Sequence, residues 1–308
     1  EAKNMLGRTP VGLTAIRPLK DGVISDFTIC EKMLQHFIKK VHKSAWFRPS
    51  PRVLICVPCG ATQVERRAIR ESASGAGARV VHLIDEPMAA AVGAGMPLDE
   101  PRGYMVCDIG GGTTDIAVFI NGSIQHSAVI PIAGDQVTND IAIALRTPTK
   151  DAEDLKIRFA CALTQLANAE EAIEVPSVGD RPARRLTRQT LAEVVEPRYE
   201  ELFNMVNDEL ARSGHLEKVG AGVVLTGGGS KLQGVIELAE EVFNMPVRVA
   251  TPQYVSGLVD VIRNPIYSTG VGLLIFGNKN NDRAQNIGRF ELDGSVYEKM
   301  KNWFHKSF

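Results

Sequence analysis

The spacing of hydrophobic residues changes several times along the chain and predicts a mixture of helices and buried strands. Apolar residues recur at helical spacing in five segments, 31–41, 62–73, 137–145, 152–163 and 190–211. Continuous apolar runs, typical of strands covered on both faces, occupy 52–58, 79–84, 223–226 and 247–250. In the first hundred residues strands and helices alternate, which predicts a parallel α/β sheet.

After Gly103 the pattern changes to three strand-like runs in succession, 104–108, 114–120 and 123–130. A glycine run at 110–112 joins the first pair, and Asn121-Gly122, a strong hairpin signal, joins the second pair. The sequence therefore predicts two consecutive β-hairpins.

The first hairpin carries the most distinctive chemistry in the sequence, "DIGGGTTD". Gly110, Gly111 and Gly112 lose much backbone entropy on folding, which indicates that bare backbone must approach a ligand. Converging N–H groups form an anion cradle. Asp108 would repel a phosphate unless Mg²⁺ lay between them, and the hydroxyls of Thr113 and Thr114 could reach phosphate oxygens. The alternative is a hairpin with a purely structural role.

A second glycine cluster, Gly227, Gly228 and Gly229, follows a buried strand and precedes a predicted helix. This position places N–H groups and a helix N-terminus near any anionic ligand. The segment does not match a P-loop and is only loosely related to a dinucleotide-binding fingerprint. A tight strand-to-helix turn without a ligand is the alternative.

Composition excludes several other functions. The chain has 308 residues and a formal net charge of -1, which argues against a nucleic-acid surface. Five cysteines in largely apolar runs predict reduced thiols. Cys56 and Cys59 form a CxxC pair, but a zinc site would need two further ligands. Redox chemistry of the pair is less favoured than two cysteines without a chemical role. Neither a secretory signal nor a membrane-spanning helix is predicted.

Four motifs together resemble the actin-like ATPase superfamily. "DIGGGTTDIAVF" is similar to its second phosphate hairpin, "VVLTGGGSKLQG" to its adenosine motif, and "LIDEPMAAAVGAG" and "YSTGVGLLIFG" to its two connecting helices. The resemblance implies an α/β, actin-like (ribonuclease H-like) two-lobe fold. It also implies that ATP and Mg²⁺ are the ligands, with the glycine hairpin around the β- and γ-phosphates.

Within the superfamily the resemblance is divided between two families. Residues 1 to about 100 resemble the MreB family, and residues from about 103 resemble the FtsA family, which predicts a hybrid chain. The expected domains are lobe I at 1–102, completed by 267–277, and lobe II at 103–266. A linker at 278–294 and a helix at 295–308 follow.

The resemblance also assigns site residues. It implies that Asp108 holds Mg²⁺ through water, that Gly110, Gly111, Gly112 and Thr113 cradle phosphate, and that Glu86 positions the attacking water. Glu153 and Lys156 match nucleoside contacts, with a solvated ion pair as the alternative. Gly227, Gly228 and Gly229 would pack against the nucleotide.

The family's first phosphate hairpin, which should lie near the N-terminus, has no counterpart before residue 30. Lobe I is therefore expected to be incomplete at its N-terminus, with an unpaired sheet edge. ATP binding is expected to be weakened and ATPase activity to be weak at most, with Glu86 and Asp108 as the candidate catalytic residues.

The last fourteen residues predict an amphipathic helix. Its bulky apolar side chains share an arc of roughly 140° at about 100° per residue: Val296, Tyr297, Met300, Trp303, Phe304 and Phe308. Lysines line the opposite side, so the helix is expected to lie on anionic lipid. Docking on the protein's own core is the alternative.

The resemblance implies a cell-division protein of the FtsA type that tethers the FtsZ ring to the inner membrane and self-associates into filaments. Arg188 and Arg198 become candidate contacts for the acidic C-terminal tail of FtsZ. The expected location is the cytoplasmic face of the inner membrane, at the division site. The alternatives are an MreB-like cell-shape filament and a small-molecule kinase of the same superfamily.

Overall fold

A computed structural model describes residues 12, 14, 16, 18–20, 23, 24, 26–41, 50–97, 100–179, 181–253 and 262–278. The predicted tail helix, with Val296, Tyr297, Met300, Trp303, Phe304 and Phe308, lies outside the described residues, as does all but the first residue of the predicted linker.

The described helices are α1 (Phe27–Val41), α2 (Gln63–Gly75), α3 (Glu86–Gly93), α4 (Gly134–Ala144), α5 (Thr149–Phe159), α6 (Arg188–Arg212), α7 (Val235–Phe243) and α8 (268–278). The described strands are β1 (Leu19–Lys20), β2 (Val23–Ile24), β3 (Arg52–Val57), β4 (Val80–Asp85), β5 (Tyr104–Ile109), β6 (Thr114–Ile120), β7 (Ser123–Ile130), β8 (Ala172–Val175), β9 (Arg184–Thr187), β10 (Val223–Thr226) and β11 (Val247–Val249).

The largest sheet contains five strands in the order β11-β10-β5-β6-β7. β11, β10 and β5 run parallel, whereas β6 and β7 are antiparallel additions joined by the two predicted hairpins. Asn121 and Gly122 both have positive φ, 51° and 74°, as a two-residue hairpin turn requires. Both hairpin predictions are confirmed.

Apolar side chains cover both faces of this sheet because successive strand residues point to opposite sides. Met105, Cys107 and Ile109 pack on one face with residues of α4, α6 and α7. Tyr104 and Val106 pack on the other face, against Ala91 and its neighbours in α3. Burial on two sides thus explains the apolar run of β5. The runs of β3 and β4 are also apolar, but most of their residues are only half-buried or exposed.

The sheets in the N-terminal part are smaller than the five-stranded sheet. β3 and β4 pair in parallel, as the alternating pattern predicts, and α2 connects them. Thr62 caps α2 through a capping box with Glu65, so the sequence itself marks where this helix begins. Among the described residues, no helix is long and apolar enough to cross a membrane.

Two of the described hairpins were not predicted from the sequence. β1 and β2 pair antiparallel, Leu19↔Ile24 and Lys20↔Val23. β8 and β9 pair antiparallel from Ala172↔Thr187 to Val175↔Arg184. Their strands are short and rich in arginine and glutamate, with only Ile173 and Val175 buried. Such a pattern gives little periodic signal, and no element is predicted there from the sequence.

Candidate functional site

The two glycine loops meet at the ends of neighbouring strands. Thr226, at the end of β10, pairs with Asp108 near the end of β5, so the loop after each strand leaves from the same edge of the sheet. The approach is close: a methyl group added at Gly227 would lie 2.3 Å from Asp108 Oδ1. The resemblance assigned these two loops to one ligand, and the fold brings them together.

The glycine hairpin rests on the start of α4. The Gly134 N–H donates to the Gly110 carbonyl at 3.2 Å, and the Asp135 N–H donates to the Gly111 carbonyl at 2.6 Å. Gln136 reaches back to the Gly112 carbonyl at 3.5 Å while accepting from the Ala133 N–H at 3.0 Å. The loop is therefore held by two backbone hydrogen bonds and by the side chain of Gln136.

Asp108 is the fixed carboxylate of the site. Thr269 of α8 donates from its hydroxyl to Asp108 Oδ2 at 2.7 Å. Burial raises the pKa of Asp108 above its usual range, while the Thr269 hydrogen bond opposes that shift. The contact joins residues 161 positions apart, and no sequence pattern indicated it.

Two further carboxylates lie near Asp108. Glu86, the first residue of α3, has its pKa raised to about 7 by burial and by the charges of Asp115 and Asp108. Asp115, directly opposite Asp108 in the β5–β6 register, has its pKa raised to about 6 by burial and by Asp108. Asp115 was missed in the sequence analysis. It is the second aspartate of "DIGGGTTD", and cross-strand register was the signal that could have found it.

The three carboxylates of Asp108, Glu86 and Asp115 are a chemically suitable setting for Mg²⁺. Three acidic side chains crowded in a buried place repel one another, and oxygen is the ligand that Mg²⁺ prefers. Within the described ranges, no group of three or more His, Cys, Asp or Glu could hold a metal ion directly. A Mg²⁺ ion that keeps its water shell would fit beside these carboxylates, and Asp108 would then hold it through water.

The two threonines of the hairpin differ. Thr113 Oγ1 donates to Asp115 Oδ2 at 3.3 Å, so its hydroxyl lies beside the carboxylates. Thr114 is fully buried and donates to the Ile132 carbonyl at 2.8 Å. The expectation that the Thr114 hydroxyl reaches phosphate is therefore not supported, because that hydroxyl is committed inside the protein.

Glu153 and Lys156 form an ion pair beside the start of α4, in which the lysine is largely buried and the Glu153 side chain is 42% exposed. Lys156 Nζ donates to the Gly134 carbonyl at 2.9 Å and to Thr138 Oγ1 at 2.8 Å, and lies 2.7 Å from Glu153. The Lys156 side chain is only 13% exposed. The pair thus links α5 to the end of α4 that supports the loop.

The second glycine loop is packed against β5 and α6. A methyl group added at Gly229 would lie 2.3 Å from Ile109 Cγ2. Tyr199 donates to the Gly229 carbonyl at 3.0 Å, and Ser230 Oγ donates to the Gly227 carbonyl at 2.8 Å. Gly228, in contrast, faces open space apart from one ordinary contact with Ile266.

The two arginines proposed as partner contacts are engaged inside the protein. Arg188 donates to the Phe159 carbonyl at 2.7 Å and to Gln233 at 2.5 Å. Arg198 forms a two-pronged pair with Asp140 and a further pair with Glu201. Both guanidinium groups are already paired with groups of this chain. Their role as contacts for an acidic partner stays a prediction.

The CxxC pair lies close to the acidic cluster. Burial, and secondarily the charge of Glu86, raises the pKa of Cys56 to about 12. Burial raises the pKa of Cys59 as well. Both thiols are thus held protonated at neutral pH, which disfavours thiolate chemistry. Among the described cysteines, every one is free.

Comparisons with known proteins place these features in context. A family profile described as MreB/Mbl protein matches residues 1–261. The cell division protein FtsA of Pseudomonas aeruginosa is 56% identical over 239 residues, covering 75% of this chain and 57% of FtsA. The cell shape-determining protein MreB of Escherichia coli K12 is 46% identical over 266 residues, covering 81% of this chain and 75% of MreB. The chain thus spans little more than half the length of the FtsA relative.

Solved structures agree. MreB5 of Spiroplasma citri bound to AMPPNP has a TM-score of 0.76 at 25% identity, over 92% of this chain and 85% of that one. The MamK double helical filament has a TM-score of 0.63 at 20% identity, over 85% and 80%, a likeness of fold alone. The predicted actin-like fold is confirmed. Both sequence matches cover more of the chain than follows residue 103, so the location of the hybrid junction stays a prediction.

Proposed function

The chain belongs to the MreB/Mbl family of bacterial actin-like proteins, and from this premise we propose that it binds Mg-ATP between its two glycine loops. The observation that carries the proposal is the meeting of both loops beside Asp108. Backbone N–H groups of Gly110, Gly111 and Gly112 would receive the phosphates. Nucleotide-bound MreB5 structures, one with ADP and one with AMPPNP, support the same assignment.

Each residue has a defined part in this proposal. Asp108 would hold the hydrated Mg²⁺, with Thr269 fixing the carboxylate. The ion would neutralise phosphate charge, which is the chemistry that a bound metal supplies in such sites. Glu86, the first residue of α3, would orient the attacking water. The Gly227 carbonyl already accepts from Ser230 within the loop, and the Gly229 carbonyl accepts from Tyr199 of α6, which leaves the outer surface of the loop for the nucleoside.

Calorimetry of Mg-ATP against the purified chain tests the proposal. Asp108→Asn should weaken binding by about tenfold or more, because a charge-assisted contact is lost. Asp154→Asn, an exposed carboxylate on α5, is the matched control and should leave affinity unchanged. Absence of binding by the folded wild-type chain, or equal affinity for Asp108→Asn, would show that the loops are structural.

We further propose that the protein acts as an FtsA-type adaptor, tethering the FtsZ polymer to the inner membrane and self-associating. The 56% identity to FtsA and the amphipathic pattern of 295–308 support this role. Deleting 295–308 should abolish co-sedimentation with anionic liposomes, whereas Asn302→Gln on the polar face should retain it. Binding that survives the deletion would contradict the tail assignment.

An MreB-like filament role is the second candidate, because the family profile and 46% identity over 75% of MreB favour it. Binding of an FtsZ C-terminal peptide distinguishes the two roles. The adaptor should bind the peptide, whereas ATP-dependent filaments without peptide binding would favour the MreB role. Since Arg188 and Arg198 are paired internally, a loss of peptide binding in Arg198→Glu should be accompanied by a loss of stability.

A further inference from the structure

Two adjacent residues of α6 contact the elements on either side of the candidate nucleotide site, the second glycine loop and helix α4. Tyr199 is 2% exposed and donates from its hydroxyl to the Gly229 carbonyl at 3.0 Å. Burial and the charge of Glu153 raise the pKa of Tyr199, so the phenol remains a donor. The second glycine loop thus receives one of its few side-chain hydrogen bonds from the middle of a long helix.

Arg198 makes the corresponding contact to the other side. Its Nε donates to Asp140 Oδ2 at 2.6 Å and its Nη2 to Asp140 Oδ1 at 3.1 Å. Asp140 lies on α4, whose first residues hold the carbonyls of Gly110 and Gly111. A bidentate arginine–carboxylate pair fixes orientation as well as distance, so α6 constrains the helix that supports the phosphate hairpin.

The residue before this pair is Pro197, inside α6. Proline has no N–H, so the helical hydrogen bond to the Glu193 carbonyl cannot form at this turn. The helix therefore has a missing ladder bond directly before the two residues that contact the site.

We infer that Arg198 and Tyr199 are positioning residues that hold the two glycine loops at a fixed separation for the nucleotide. The inference rests on the proposed nucleotide site. Arg198 acts on the phosphate side through α4, and Tyr199 acts on the nucleoside side through Gly229. α6 thereby becomes a rigid connection between the two halves of the site.

The two variants Arg198→Gln and Tyr199→Phe should separate the two sides. Tyr199→Phe should weaken ATP and AMP equally, by about fivefold, the effect of one hydrogen bond. Arg198→Gln should weaken ATP by about tenfold and leave AMP almost unchanged, because AMP lacks the β- and γ-phosphates that the hairpin would hold. Arg198→Lys, which keeps the charge, should recover part of the ATP affinity.

Matched controls come from the same helix. Val195→Ala removes buried volume from α6, and Arg212→Gln removes an arginine paired with Glu209 near its C-terminus. Both should lower stability without changing the ratio of ATP to AMP affinity. Equal losses of ATP and AMP affinity in Arg198→Gln, matching those of the controls, would overturn the inference.

Amide hydrogen exchange on the nucleotide-free chain keeps the inference separate from the proposed function. Tyr199→Phe should accelerate exchange at 227–232, and Arg198→Gln should accelerate exchange at 110–113 and 134–137. Unchanged exchange at these segments would overturn the positioning role even if ATP binds. Accelerated exchange in a chain that binds no ATP would leave the two contacts established and refute the nucleotide site instead.

Discussion

Gly227 is the position where the two glycine loops come closest, and it carries the most specific prediction for this fold. Its φ is +81°, in the region that favours glycine. An added methyl group would lie 2.3 Å from Asp108 Oδ1 and 2.5 Å from the Ile109 carbonyl oxygen. Gly228, the next residue, has neither constraint, since its nearest neighbour is Ile266 Cγ2 at 3.5 Å. The pair Gly227→Ala and Gly228→Ala is therefore a matched comparison.

Two terms set the size of the effect. A left-handed backbone costs a non-glycine residue about 1–2 kcal/mol. The overlap with β5 must be relieved by moving backbone, and overpacking of this kind costs about 1–3 kcal/mol. Gly227→Ala should therefore lower the free energy of unfolding by about 2–5 kcal/mol. Gly228→Ala is exposed and should change it by about 0.5 kcal/mol or less.

Urea unfolding of the nucleotide-free chain, followed by far-UV circular dichroism, measures this difference. The denaturation midpoint of Gly227→Ala should fall well below that of Gly228→Ala at similar slope. The displaced Asp108 carboxylate should also reduce Mg-ATP affinity in Gly227→Ala. Equal midpoints for both variants would refute the close approach of the two loops, and with it the site as described.

Three further predictions address the carboxylates and the supporting helices. Because burial raises the pKa of Glu86 to about 7, folding takes up a proton, and the free energy of unfolding should fall as pH rises from about 5 to about 8. Urea unfolding at these two pH values measures the fall. Glu86→Gln should make the fall smaller, and an unchanged fall would contradict the burial of Glu86. Lys156→Met should weaken Mg-ATP binding severalfold by releasing the Gly134 carbonyl, a result that calorimetry checks and that unchanged affinity would refute. Gly272→Ala should lower the melting temperature, because its methyl group would lie 1.8 Å from the Ala89 carbonyl oxygen. Gly270→Ala, where nothing obstructs the methyl group, should raise the melting temperature slightly. The opposite order would refute the close crossing of α3 and α8.

Hydrophobic periodicity predicted most strands and helices because it reflects burial directly. β5 is buried on both faces and β10 likewise, and both appear as unbroken apolar runs. The Asn121-Gly122 turn and the glycine hairpin have local signatures that need no tertiary information. The β8–β9 hairpin has no clear hydrophobic pattern, since its exposed residues are mostly charged and only two of its side chains are fully buried.

The candidate site could be predicted only where its residues lie within one motif. Asp108 and the glycine runs are local, so the sequence indicates them. Thr269 reaches Asp108 from the far end of the chain, and Asp115 is recognised only once the register of β5 and β6 is known. The sequence identifies Arg198 as a charged helix residue, but it cannot show that the side chain is paired with Asp140 of another helix.

The crossing of α3 and α8 explains why such distant residues meet at Asp108. A methyl group at Gly93 would lie 1.8 Å from the Ser268 carbonyl oxygen, so the two backbones touch with no side chain between them. At this separation, Glu86 at the start of α3 and Thr269 at the start of α8 both reach the end of β5. Larger residues at the crossing would move both helices away from Asp108 together. The glycines of the connecting helices therefore determine the geometry of the acidic cluster as directly as the glycines of the loops.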